Sequence, residues 1–349
     1  MLQRIRASRW VRTGLLLVIL GFCCYGLVAE WPTVQPTVIR LHLYSIASSL
    51  AASMGAAFCM MLAWRRLLAD LGSKLPVLVA ARVTFVSQLG KYVPGAVWSF
   101  AAHVELGHDY DVPRRRGAAS VIVAVAVAFG VGLLIAAIAL PFAAPDVARK
   151  YLLVVAAVPV IAVCLAPPVL SRVLNLALRL IRQEPLEHPI SWRGMVVALG
   201  WTVAGWLLFG LQTWVLLANV VSDGARSMLL ALGAYAFASS VALLLVVFPG
   251  GIGAREVLLV AALAPALSSG PALAIALAAR LVTTVCDLTW GGIGLALARR
   301  MRGKPAPAAL NSATRAHVGR HRKTIGAPAP DRPNPRPAES VPPGHGLRA

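Results

Sequence analysis

The stretch GAASVIVAVAVAFGVGLLIAAIAL, residues 117–140, contains no charged side chain and is as long as a helix that crosses a lipid bilayer. Three arginines, Arg114, Arg115 and Arg116, stand directly before it. A helix on the surface of a soluble protein has one polar face, whereas this stretch is apolar on every side. The stretch therefore predicts a transmembrane helix with basic residues at one membrane surface.

Similar apolar runs occupy most of the 349-residue chain, of which 58% is hydrophobic and only 13% charged. This composition excludes an ordinary soluble fold. We expect an all-α polytopic membrane protein with about eight transmembrane helices, some of them broken or re-entrant. The other runs are Thr13 to Ala29, Leu43 to Trp64, Tyr151 to Leu170, Met195 to Val220, Met228 to Phe248, the short Val257 to Leu267, and Ala272 to Ala298.

The net charge of +20 is explained by membrane orientation rather than by nucleic-acid binding, because the basic residues cluster at the ends of apolar runs and in the C-terminal tail. We predict a basic cytoplasmic N-terminus over residues 1–12, a membrane domain over 13–298 and a disordered, basic, Pro-rich cytoplasmic tail over 299–349. The first run lacks a signal-peptidase site, so it is interpreted as a retained signal anchor. The predicted location is the plasma membrane.

The segment Leu75 to Val104 is apolar but has basic clusters on both sides that belong to the cytoplasmic surface, so it must enter the membrane and return. It contains Arg82, Lys91 and the pair Pro94 and Gly95. A re-entrant pair of half-helices satisfies this, because broken backbone at membrane depth is tolerated where protein surrounds it. Two very short tilted spans are the alternative.

Two stretches share a Pro-Gly break, QLGKYVPGAVW at residues 88–98 and VVFPGGIGARE at residues 246–256. Their similarity suggests an internal repeat. Pro and Gly interrupt a helix and expose its unpaired backbone groups, and paired interrupted segments often mark the substrate site of a transporter. A half-helix that begins after Gly253 would present amide groups to a phosphate or a carboxylate. Tight cytoplasmic turns are the other interpretation.

Ionisable residues inside the apolar runs strengthen the first interpretation, since a charge at the bilayer centre costs at least about 2.5 kcal/mol. Arg280 and Asp287 share one face of the last helix, and Arg255 and Glu256 are their nearest expected partners. We hypothesise that six charged residues line one polar cavity with a positive surplus that suits an anionic ligand; separate structural ion pairs are the alternative. The candidate substrate-binding residues are Arg82, Lys91, Pro94, Gly95, Pro249, Gly250, Gly251, Gly253, Arg255, Glu256, Arg280 and Asp287.

Neither a metal site nor a cofactor is expected. The five cysteines lie in apolar runs without a CxxC pair and are interpreted as packing residues. The stretch HVELGHDYD, with His103, Glu105 and His108, is interpreted as a solvated membrane boundary rather than a metal site.

The motifs GKYVPGAVW, FPGGIGARE and RLVTTVCDL occur in that order, and together they resemble the lysylphosphatidylglycerol synthase transmembrane-region family, also called flippase-like, over about Arg12 to Arg300. The resemblance implies a membrane domain of about eight helices with re-entrant elements, which in bifunctional members moves an aminoacylated phospholipid between leaflets. It also implies roles for the candidate residues within these motifs. Bifunctional members carry a soluble aminoacyl-transferase domain, whereas here only the Pro-rich tail follows, so lysyl transfer is not expected.

The leading functional hypothesis is a non-enzymatic lipid translocator that moves a phospholipid or a lipid-linked envelope precursor with an anionic headgroup. An intramembrane transferase is the first alternative, for which Glu105 and Asp109 are the only nearby acids. A scaffold that binds envelope-synthesis enzymes is the second. No nucleic-acid partner is expected.

Overall fold

A computed structural model describes residues 31–92, 98–143, 156, 158–180, 189–222, 224–244 and 253–301. Within these residues all regular structure is helical. The helices are α1 (Trp31–Arg40), α2 (Leu43–Asp70), α3 (Val77–Gln88), a 3-10 turn (Leu89–Tyr92), α4 (Trp98–His108), α5 (Arg114–Ala143), α6 (Val158–Cys164), α7 (Pro167–Leu180), α8 (Trp192–Leu217), α9 (Gly224–Leu244), α10 (Ala254–Leu263) and α11 (Ser269–Met301).

Five of these helices, α2, α5, α8, α9 and α11, are long and apolar enough to cross a membrane. The bent pair of α6 and α7 raises the number to six if it forms one span. The all-helical membrane fold is thus confirmed, while the count of eight is not, and the first predicted run, 13–29, lies outside the described residues. The described part of the run predicted at Tyr151 to Leu170 is bent by 68° between α6 and α7.

The protein core lies between α2, α5, α8 and α9, where α8 packs along α2 and α9 packs along α5. Small residues allow this close approach. Any side chain larger than hydrogen at Gly132 of α5 would meet the Trp206 ring of α8 and the Ser240 side chain of α9. On the outside, apolar side chains such as Ile122, Ile138 and Leu207 are exposed, as expected for a surface that faces lipid. Of the described cysteines, Cys59 and Cys286 are buried and Cys164 is exposed.

The helices α3 and α4 form a hairpin whose two open ends lie at the same end of the bundle. At the start of the hairpin the Arg65 side chain donates to the backbone carbonyl of Leu75 over 2.7 Å. At its finish Glu105 of α4 pairs with Arg114, the first residue of α5, through two hydrogen bonds of 2.8 Å. The two helices have 12 and 11 residues, about half of a membrane span. This is the hairpin shape that the sequence predicted for residues 75–104.

The end of α2 and the beginning of α8 are joined at this same basic end of the bundle. Gly72, at φ +90°, ends α2 in a Schellman turn, in which Ser73 donates to the carbonyl of Leu68 over 3.1 Å. The carboxylate of Asp70 accepts hydrogen bonds from the amide and the hydroxyl of Ser191, which caps α8. Asp70 also pairs with Arg66 at 3.0 Å. Arg116 of α5 donates to the carbonyl of Gly72, so Arg66 and Arg116, two of the basic residues assigned to one membrane surface, lie at this same end of the bundle.

Replacing Gly194 with alanine is expected to destabilise this junction by about 1–2 kcal/mol. A Cβ atom at position 194 would overlap the Asp70 carboxylate and push it away from Ser191 and Arg66. Alanine at Gly200, on the same helix with no atom within 4 Å of the new methyl group, is the matched control. Thermal unfolding of the two variants in the same detergent should show a loss at position 194 alone. Equal melting temperatures would contradict the role of the junction.

Candidate functional site

The centre of α11 contacts described residues of both stretches that contain a Pro-Gly pair, Lys91 in residues 88–98 and Glu256 in residues 246–256. Arg280 and Asp287 stand on either side of the middle of this helix, about 10 Å apart along its axis. Arg280 faces Glu256 at the beginning of α10, and Asp287 faces Lys91 in the 3-10 turn Leu89–Tyr92, which we call the hairpin tip. These contacts lie near the middle of a helix that is long and apolar enough to cross a membrane.

The carboxylate of Asp287 holds the hairpin tip. Its Oδ2 atom lies 2.5 Å from the ammonium nitrogen of Lys91 and accepts a 2.7 Å hydrogen bond from the phenol of Tyr92. Both partners belong to the 3-10 turn between α3 and the Pro94-Gly95 segment. Two donors on one oxygen fix the tip against α11.

Aromatic and small residues reinforce this attachment. The Trp290 ring, one turn beyond Asp287, stacks on Phe85 of α3 with ring centroids 4.3 Å apart and on Phe58 of α2 at 6.0 Å. A side chain at Gly291 would collide with Leu89 of the 3-10 turn. The tip therefore packs directly onto the face of α11 that carries Asp287.

The beginning of α10 is organised by Gly253 and Glu256. Gly253 adopts φ +90°, a conformation that favours glycine, and α10 starts at the next residue, as predicted. Glu256 accepts a 2.8 Å hydrogen bond from the amide of Gly253 through Oε2, and its Oε1 atom lies 3.6 Å from Arg280. One of the amides expected to be free for a ligand is therefore occupied by a side chain of the protein.

The Arg255 side chain packs on an aromatic ring and not against a carboxylate of the described residues. Its guanidinium carbon lies 4.6 Å from the centroid of the Tyr235 ring on α9. Tyr235 is 3% exposed and is itself stacked on Phe209 at 5.3 Å. The Nη2 atom of Arg255 is buried and has no hydrogen-bond partner among the residues that the structure describes.

We call Lys91, Arg255, Glu256, Arg280 and Asp287 the charged cluster. It contains three cations and two carboxylates. Two of the cations have a carboxylate partner. Within the described part of the chain, Arg255 is the cation left without one, so the charged cluster has a positive surplus.

A family model with the description "Lysylphosphatidylglycerol synthase TM region" matches residues 9–291, a range that contains the whole charged cluster. The chain belongs to this family. No curated protein matches it. As a member of the lysylphosphatidylglycerol synthase TM region family, the chain is a multi-pass membrane protein, and the family name connects it with the handling of a membrane lipid.

Of the twelve predicted site residues, Lys91 and Asp287 form one ion pair, Glu256 and Arg280 form a second, Arg255 lies on Tyr235, and Gly253 precedes α10; these contacts match separate ion pairs, and a single cavity that joins them stays a prediction. Arg280 meets Glu256, one of its expected partners, whereas Asp287 meets Lys91 and Tyr92 rather than Arg255. Arg82 lies elsewhere, since its guanidinium donates a short hydrogen bond to the Tyr110 hydroxyl and lies over that ring. Pro94, Gly95, Pro249, Gly250 and Gly251 lie outside the described residues.

The stretch HVELGHDYD is only partly a solvated boundary. Glu105 and Arg114 are both more than half exposed, as expected for a boundary. The interpretation was wrong for His103, whose Nε2 atom is buried without a hydrogen-bond partner within the described residues. Its Nδ1 atom lies 3.0 Å from the Ser87 hydroxyl, and the ring packs edge-on to Trp64. His103 thus joins α3, α4 and α2 inside the bundle.

Two residues of the site were missed by the sequence analysis. Tyr92 adjoins Lys91 in the first motif, so its position beside a charged residue at a helix break was a usable signal. Tyr235 lies in the apolar stretch of α9, where an aromatic residue is ordinarily a packing residue. Only the approach of α10 to α9 gives Tyr235 its contact with Arg255.

Proposed function

We propose that the chain is a lipid translocator of the plasma membrane that moves an anionic phospholipid, or a lipid-linked envelope precursor, between leaflets. The observation that carries this proposal is the Arg255 guanidinium of the charged cluster, which lies on the Tyr235 ring and whose Nη2 atom has no hydrogen-bond partner among the described residues. A buried guanidinium N–H group without a hydrogen-bond partner is costly, so a bound anion would stabilise it. The lipid tails would remain in the bilayer while the headgroup passes through the charged cluster.

The hairpin tip is the element that would gate this passage. Lys91 and Tyr92 attach it to Asp287 through side-chain contacts, and the Pro-Gly segment follows it directly in the sequence. Contacts of this kind can break and form again without unfolding the core between α2, α5, α8 and α9. Separation of the tip from α11 would open the charged cluster toward the basic end of the bundle, where the N- and C-termini are predicted to lie.

The test is leaflet exchange in vesicles that contain the purified full-length chain and a trace of fluorescent phosphatidylglycerol. Addition of a membrane-impermeant quencher should bleach inner-leaflet probe faster than in protein-free vesicles. Arg280→Gln is expected to slow this exchange about tenfold, because it removes a cation from the charged cluster and leaves Glu256 unpaired.

Arg172→Gln, which removes an exposed arginine of α7, is the matched control and should exchange lipid at the wild-type rate. The proposal would be abandoned if monodisperse wild-type protein gave no exchange above empty vesicles for labelled phosphatidylglycerol, phosphatidylethanolamine or phosphatidylcholine.

A further inference from the structure

We infer that Arg255 and Tyr235 form an oxyanion-binding fork, in which Tyr235 holds the guanidinium of Arg255 so that its edge, with the Nη2 group that has no partner among the described residues, binds a phosphate group. This inference rests on the proposed function for the source of the phosphate, a lipid headgroup. It adds that recognition depends on the planar geometry of the guanidinium and on the ring beneath it, and not on positive charge alone. Tyr235 is then a positioning residue of the site.

The Tyr235 ring under Arg255 is fixed by neighbouring aromatic side chains. Tyr235 of α9 stacks on Phe209 of α8 with an interplanar angle of 20° and meets Trp206 edge-on at 6.4 Å. Trp206 is fixed in turn by a hydrogen bond from its ring nitrogen to the carbonyl of Ala128, on α5. Three helices of the core thus hold the ring on which the guanidinium lies.

The surroundings of the Arg255 guanidinium leave its edge available for a ligand. All its N–H groups lie in its plane, so a ring against one face leaves the edge available for hydrogen bonds. The neighbouring carboxylate, Glu256, does not compete for this edge, because its two oxygens face the Gly253 amide and Arg280. Nη2 is buried and unpartnered among the described residues. A phosphate group has two adjacent oxygens that match two parallel N–H donors.

Arg255 also lies at the amino end of α10. It is the second residue of the helix, beside Gly253, and the amino end of a helix favours an anion. The fork and the amino end of α10 therefore both favour an anion. A lysine at this position would keep the charge but would have neither the planar stack on Tyr235 nor a pair of parallel donors.

The test measures binding of short-chain phosphatidylglycerol to the full-length chain in detergent. Arg255→Lys is expected to weaken binding about tenfold or more even though the charge is retained. Tyr235→Leu should weaken it several-fold, and Tyr235→Phe, which keeps the ring, should restore most of the affinity. Arg172→Lys, an exposed arginine of α7, is the control and should bind like wild type.

Wild-type binding by Arg255→Lys would overturn the fork, since charge alone would then suffice. Equal loss in Tyr235→Phe and Tyr235→Leu would also overturn it, because the ring would have no role. If Tyr235→Leu does not yield monodisperse protein, the comparison of Arg255→Lys with wild type tests the fork by itself. Short-chain diacylglycerol, which lacks the phosphate, should not bind to any of the variants; saturable binding would contradict an oxyanion site.

The experiments distinguish a failure of the translocator from a failure of the fork. If inorganic phosphate binds with the same ranking of variants and excludes phosphatidylglycerol, and wild-type vesicles show no leaflet exchange, the fork stands as a site for free phosphate and the translocator is rejected. If wild-type vesicles exchange lipid and Arg255→Lys does so equally well, the translocator stands and the fork is rejected.

Discussion

Replacing Asp287 with asparagine is expected to reduce leaflet exchange by about a hundredfold and to destabilise the protein by about 2 kcal/mol. The change removes the charge that Lys91 approaches at 2.5 Å and weakens the hydrogen bond from Tyr92. Lys91 is 37% exposed, so the loss of stability should be smaller than for a fully buried pair. Leaflet exchange in vesicles and thermal unfolding in detergent measure the two effects.

A double-mutant cycle separates the ion pair from other effects of the substitution. Lys91→Gln combined with Asp287→Asn should be more stable than Asp287→Asn alone, because no unpaired charge remains at the hairpin tip. Thr289→Ala is the control on the same helix, since the Thr289 hydroxyl bonds only to the carbonyl of Val285, one turn earlier. Unchanged lipid exchange in Asp287→Asn would mean that the attachment of the tip to α11 has no part in function.

Replacing Gly90 with alanine is expected to lower the free energy of unfolding by about 1–3 kcal/mol and to impair lipid exchange at the same time. A Cβ atom at position 90 would lie 2.8 Å from the backbone nitrogen of Ser99 and 2.9 Å from its Cα atom. These are main-chain atoms of α4, so the hairpin itself would have to open. Lys91, the next residue, would then move away from Asp287.

Gly292→Ala, on α11, provides the comparison for this substitution. Nothing lies within 4 Å of a methyl group at position 292, and alanine favours a helix over glycine by up to about 1 kcal/mol. The two glycine-to-alanine changes should therefore have opposite signs in thermal unfolding. A Gly90→Ala variant as stable as Gly292→Ala would show that α3 and α4 do not pack as closely as the structure has them.

Much of the fold follows from the sequence because the bilayer imposes strict rules on it. An apolar run such as residues 117–140 has to form a helix, since backbone groups in lipid must bond within their own segment. Its ends were predicted to within a few residues, and the structure extends it to Arg114–Ala143. The hairpin at 75–104 was also predictable, because basic residues on both sides exclude a simple crossing.

The sequence also supplied all five members of the charged cluster. Charges are costly in apolar runs, so Lys91, Arg255, Glu256, Arg280 and Asp287 were identified without knowledge of the fold. It could not show that Arg82 belongs elsewhere. Arg82 lies in the same re-entrant segment as Lys91, and only the packing of the hairpin turns its side chain toward Tyr110.

The sequence by itself determined that this chain is a helical membrane protein with a few costly charges near two Pro-Gly breaks, because lipid tolerates neither unpaired backbone nor isolated charge without compensation. The tertiary structure decided which charges compensate one another. Asp287 pairs with Lys91, Glu256 pairs with Arg280, and Arg255 is left on the ring of Tyr235. These partners lie far apart along the chain, so only the packing of the hairpin and α10 against α9 and α11 could select them.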